Sequence, residues 1–332
     1  MEAAYSELAA RIGLGQSQRI PQLFEMIADR GEAELLLALP SDAPTLAGKF
    51  GRSEAEIEAM LKRLFLKGLV FPSSKTDPPS YRMCRDLVQF HDATILWPDA
   101  PQQFLDLWQD FMEIEWPPLA KIVSKMTPRP FTRVVPVGVS VPAKTYVLAY
   151  EDMREIVENA RNLAVTKCTC RLIAHKCDKK LEACIQVNRA ADYTLARGTG
   201  KQLSKQQALD LIRECEEEGL IHVVMNKQSV DHFICNCCEC CCQTMPILIE
   251  HNISVIEPSR FAAQVDRDLC TSCGLCSERC FFGAIAVEDD SPAKVDADKC
   301  MGCGLCQVPC AAEAISMKEV RAKDFVPEKM FG

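Results

Sequence analysis

The stretches CTSCGLCSERC (residues 270–280) and CMGCGLCQVPC (residues 300–310) repeat one pattern, Cys-x-x-Cys-x-x-Cys-x-x-x-Cys, offset by thirty positions. Three thiols spaced two residues apart can reach three irons of one cubane from a single loop, while the fourth is carried off by the helix that follows. The spacing therefore predicts crossed wiring. Cys270, Cys273, Cys276 and Cys310 should hold one 4Fe-4S cluster, and Cys300, Cys303, Cys306 and Cys280 the other. A zinc ribbon pairs two C-x-x-C units and has no use for third and fourth cysteines at these offsets. The pattern is that of an iron-sulfur ligand set.

Around the repeat, residues 265–318 resemble the bacterial two-cluster ferredoxins. Gly283-Ala284-Ile285 and Glu313-Ala314-Ile315 complete the signature in the two halves. The family's proline after each fourth cysteine is replaced by Phe281 and Ala311, which alters a turn but removes no ligand.

A chain of 332 residues has room for two or three domains. Its first residues, MEAAYSELAARIGLGQ, lack the basic and then apolar regions of an export signal, and no stretch of eighteen apolar residues occurs. A cytoplasmic protein is expected, and in that reducing compartment clustered thiols serve as metal ligands more often than as disulfides. The net charge of −8 opposes binding to nucleic acid or an anionic membrane, both of which need a basic face.

The pattern of elements predicts an α+β chain with a winged-helix-like domain over residues 1–85, a helical connector over 86–130, a central cysteine-rich α+β region over 131–260 and the two-cluster module over 261–332. In the first part, Ser53 and Glu56 form a capping-box signal ahead of a helix that buries Ile57, Met60, Leu61 and Leu64 and stops at Gly68. Strands are expected at 69–71 and 81–83, with 73–80 as the wing. The first turn of the helix at the DNA-recognition position carries Glu54, Glu56 and Glu58. That charge favours a docking or dimerisation unit over a DNA reader. In the connector, Phe104, Leu107, Trp108 and Phe111 read as core. The run RVVPVGVSVPAKTYVLAY, broken by Pro136 and Pro142, suggests short strands near a sheet edge, and residues 151–164 a helix.

Ten further cysteines of the central region are candidate ligands. Cys168, Cys170, Cys177 and Cys184 could enclose one cubane, with Arg171 offsetting its negative charge. Cys235, Cys237, Cys238, Cys240, Cys241 and Cys242 cannot all face one centre, because neighbouring side chains of an extended chain point to opposite faces. The count suits two more 4Fe-4S clusters with two spare thiols. One bridged cluster, a non-cubane cluster and a structural zinc are the alternatives. His175 could replace a thiolate. Cys215, on the apolar face of a helix capped by Ser204 and Gln207, and the isolated Cys84 read as core.

Taken together, these segments resemble a family of multi-cluster iron-sulfur proteins of strictly anaerobic bacteria. The resemblance implies redox partnership with a ferredoxin, a flavoprotein or a larger oxidoreductase complex. The chain has no Gly-rich dinucleotide fingerprint of its own. An electron-transfer protein or subunit is therefore expected. The alternatives are an oxidoreductase with a catalytic central cluster and a redox-sensing winged-helix regulator.

Overall fold

The Ser53 signal becomes a complete capping box. The Ser53 hydroxyl accepts from the Glu56 amide, and the Glu56 carboxylate accepts from the Ser53 amide. The helix ends at Gly68, whose left-handed backbone (φ 87°) lies so close to the carbonyl of Ala93 that a Cβ would stand 2.5 Å from its oxygen. The structure, a computed structural model, describes residues 3–73, 76–138, 148–230 and 232–330. It divides into two units, 1–118 with 172–174, and 119–171 with 175–332.

The first unit contains α1 (Ala3–Arg11), α2 (Ile20–Ile27), α3 (Arg30–Leu37), β1 (Ser41–Asp42), α4 (Ala43–Phe50), α5 (Glu54–Lys67), β2 (Val70–Ser73), β3 (Ser80–Met83), α6 (Leu87–Ile95) and α7 (Gln102–Ile114). The three strands form an antiparallel sheet in the order β1-β3-β2. Part of the stretch read as a wing, residues 74–75, lies outside the described residues. The aromatic positions of the connector are core: Phe24 stacks on Phe90 at 4.2 Å between ring centres, and Phe90 meets Trp108 at 5.0 Å, all three fully buried. Cys84 is buried here too, and burial pushes its thiol up to about 12.

The boundary between the units falls within α8 (Trp116–Met126). The second unit continues with β4 (Thr132–Val135), α9 (Met153–Glu158), β5 (Leu163–Lys167), α10 (Thr169–Ala174), β6 (Glu182–Val187), α11 (Arg189–Ala196), β7 (Lys201–Gln202), α12 (Lys205–Glu217), β8 (Ile221–Met225), β9 (Phe233–Cys237), α13 (Met245–Ile249) and β10 (Ile256–Glu257). Its seven-stranded sheet has the order β10-β4-β8-β9-β6-β5-β7 and is antiparallel except for the β10–β4 pair. One expectation is corrected. The helix read over 151–164 stops at Glu158, because Leu163, Ala164 and Val165 are buried in a strand paired on both sides. Residues 132–135 form the short strand β4, next to the edge strand β10. The rest of that run, 139–147 with Pro142, lies outside the described residues.

The cysteine repeat follows in β11 (Phe261–Val265), α14 (Leu275–Glu278), β12 (Ile285–Ala286), β13 (Lys294–Val295) and β14 (Ile315–Glu319). β11 pairs with β14 and β12 with β13, both antiparallel, so one strand pair encloses the whole repeat and the other lies between its two halves. After the second cysteine of each half comes a left-handed glycine, Gly274 or Gly304, that turns the chain toward the third cysteine. Among the described residues no helix is long and apolar enough to cross a membrane.

Phe90→Ala removes the ring at the centre of the aromatic stack and should cost about 3–5 kcal/mol. Chemical denaturation should show the first unit unfolding at lower denaturant, with the metal content of the second unit unchanged.

Candidate metal centres

The eight cysteines of the repeat line two cavities. One is bounded by Cys270, Cys273, Cys276 and Cys310, the other by Cys280, Cys300, Cys303 and Cys306. Each takes three cysteines from one loop and the fourth from the other half. The remaining walls are mostly apolar, including Val265, Leu275 and Ile315 in the first and Phe282, Ala284 and Ile285 in the second. All-thiol donor sets in dry surroundings suit 4Fe-4S clusters. Backbone amides point at the sulfurs: Ala284 donates to Cys280 at 3.3 Å, Ala293 to Cys270 at 3.4 Å and Ala263 to Cys300 at 3.5 Å. Such bonds stabilise the negative charge of a thiolate-bound cluster. Burial pushes the Cys303 thiol up to about 12 and raises that of Cys306, so both keep their protons until a metal displaces them.

The central cysteines group differently from their order in the chain. Cys177 leaves Cys168, Cys170 and Cys184 and joins Cys238, Cys240 and Cys241, whose four sulfurs all lie within 4.8 Å of one another. The reading of 168, 170, 177 and 184 as one set is thereby corrected. The loop after α10 carries Cys177 away from the sheet, while Cys184 sits on β6. The other six thiols close a ring of contacts: Cys168 to Cys170 and Cys184, Cys170 to Cys242, Cys242 to Cys237, Cys237 to Cys235, and Cys235 to Cys184. Sheet geometry builds it. Cys184 and Cys235 lie on paired strands, and Cys235 and Cys237 are two apart on β9 and share a face. Adjacent Cys237 and Cys238 fall into different groups.

Hydrogen bonds from Cys170 and a second thiol hold Cys168 and Cys242 well below the ordinary thiol range, while Cys170, Cys184 and Cys237, the donors, are held well above it. Arg171, only 3% exposed, supplies the counter-charge. Burial opposes its ionisation, but Cys168, Cys238 and Cys184 keep it charged. Its guanidinium donates to the carbonyls of Lys180 and Asn236, which fixes it between the two thiol groups.

Reading the sequence missed a buried polar chain behind the ring. His222 Nδ1 lies 2.6 Å from Asn236 Oδ1 and its Nε2 3.1 Å from Glu216, which also accepts from the Gly138 amide at 2.7 Å. The only sequence signal is a histidine on a face of β8 that the sheet buries. His175 closes α10 in the left-handed conformation.

Residues 263–317 match the family of 4Fe-4S dicluster domains. No curated protein matches the chain. The C-terminal part of the chain is therefore a ferredoxin-type iron-sulfur domain, a class that suggests electron transfer.

Cys276→Ser and Cys306→Ser should each remove roughly four irons per chain, since a cubane thiolate has no substitute nearby. Cys215→Ala, fully buried in α12 with its thiol pushed up to about 12 by burial, should leave iron unchanged. Anaerobic iron and sulfide analysis reads both results.

Proposed function

We propose that the protein is an iron-sulfur electron-transfer component, passing single electrons between a donor and an oxidoreductase partner. The observation that carries this reading is the pair of four-cysteine cavities with exchanged fourth cysteines, inside a segment matching the dicluster family. Bound there, two 4Fe-4S clusters would supply reversible storage of single electrons. The polypeptide holds, shields and connects them.

The shielding is uneven, which supports a direction of flow. The Cys270 cavity opens to solvent at exposed Cys273, flanked by Leu269 (53% exposed) and Leu275 (44% exposed). Exposed leucines beside a cluster edge suit the docking of a partner redox protein. The Cys280 cavity faces inward. Cys303, Leu305 and Phe281 belong to the same apolar core as Cys237, Cys242 and Val134 of the central sheet, and the Val137 amide donates to the Cys303 carbonyl at 2.9 Å. Two of the six ring thiols, Cys237 and Cys242, are part of that core, and we assign the ring as a third iron-sulfur centre. A set of oxygen-sensitive thiols this large fits a cytoplasmic protein of an anaerobic host.

The first unit is proposed as a winged-helix-like module for protein docking or self-association. Its order of helix, strand, two helices and two strands supports the fold. Its charge disfavours DNA: Glu54 and Glu56 occupy the first turn of α5, and buried Glu32 engages Lys67 at 2.7 Å and Arg63 at 3.3 Å, two of the three cations on that helix.

Dithionite reduction of anaerobically prepared protein, followed by titration with an oxidised viologen, should return at least about two electrons per chain with cubane EPR signals. No electron uptake would remove the carrier reading. In a salt series on random duplex DNA, binding should be weak at physiological ionic strength. Tight binding lost on K62A/R63A would instead favour a redox-sensing regulator.

A further inference from the structure

The four sulfurs of Cys177, Cys238, Cys240 and Cys241 are packed too closely for a cubane. Cys177 lies 3.9 Å from Cys238 and 3.7 Å from Cys241, and Cys240 lies 3.7 Å from Cys241. Four thiolates about 2.3 Å from one tetrahedral zinc stand about 3.8 Å apart. On a cubane, whose four irons sit between them, the thiolates stand roughly 6 Å apart. The ring of six is arranged differently: among the described residues, no three of its sulfurs all lie within 4.8 Å of one another. Two kinds of site are thus built from adjoining stretches of chain.

We propose that Cys177, Cys238, Cys240 and Cys241 bind a single tetrahedral zinc ion that fastens the loop after α10 to the turn after β9. The set is closed, with four protein thiols and no position left for substrate, which is the form of a structural site. Backbone amides support the sulfurs as they do around structural metals: Lys179 donates to Cys177 and Lys176 to Cys241. Arg171 donates to Cys238, and the Lys179 ammonium meets the carboxylate of Glu239 at 2.9 Å, tying the two segments together beside the ion. The Arg171 guanidinium offsets part of the double negative charge of a zinc tetrathiolate. Between divalent zinc and ferrous iron at such a site, the order of intrinsic affinities favours zinc.

The zinc performs no redox step. Its role is to set the position of β9 and the Cys242 turn, and with them three of the six ring thiols. The inference goes beyond the electron-transfer reading and does not depend on the C-terminal clusters.

The test is metal analysis and zinc-edge X-ray absorption on the full chain, prepared without oxygen from cells supplied with both iron and zinc. About one zinc per chain is expected, with four sulfur neighbours near 2.3 Å. Cys177→Ser and Cys240→Ser should lose most of that zinc, whereas Cys170→Ser, in the ring, should retain it. If those variants fail to fold, the absorption spectrum of the unaltered protein still decides. A zinc content near zero, with either one iron or a four-iron cluster in its place, would overturn the proposal. Iron at the C-terminal cavities is measured on the same samples, so a failure of the electron-transfer reading shows separately as missing C-terminal iron.

Discussion

A thiolate buried away from water persists only beside positive charge, and the second unit is arranged around that requirement. Nineteen cysteines run from Cys168 to Cys310, and all but Cys215 belong to a convergent group. Backbone amides and one buried guanidinium provide what charge relief the polypeptide can give. Metal bound to these groups would supply the rest, and its binding free energy would add to the stability of this unit.

The join between the sheet and the ferredoxin-type domain follows from a departure noted in the sequence. Where the ferredoxin pattern has proline after the fourth cysteine, Phe281 packs into the core of the sheet, and the Lys179 ammonium sits 4.8 Å from its ring centre. Arg279, two residues earlier, donates to the carbonyls of Glu216 and Glu217 at the end of α12. A free-standing ferredoxin has no need of these contacts. Here they make the inner cavity part of the same apolar core as the ring, and leave the outer one to face solvent.

What could be read from sequence was what is local. The two cysteine repeats each fit in one loop, and the caps at Ser53 and Ser204 are complete within four residues, so both could be seen without knowing the fold. The eight repeat cysteines fall into the two cavities along the lines that spacing suggested. Grouping the central ten required strand register. Cys184 meets Cys235 because β6 pairs with β9, and Cys177 is set apart because it leaves the sheet. Strand β5 was misread for a related reason: five residues following a helix give too short a pattern to separate helix from strand. The Glu216–His222–Asn236 chain is likewise assembled across elements.

Exchange of the fourth cysteines also imposes an order on synthesis. As the chain emerges from the ribosome, Cys270, Cys273 and Cys276 are made well before Cys310, so the outer cavity stays one wall short until the last turn of the domain appears. The ring waits in the same way, since Cys184 lacks Cys235 until β9 has been translated and Cys170 lacks Cys242 until the turn beyond it. Every growing chain thus passes through a period with three-thiol sets open to oxygen and to unsuitable metals. The interleaving that binds the finished unit together makes loading with metal a late event, and so places the burden of protection on whatever shelters the nascent chain.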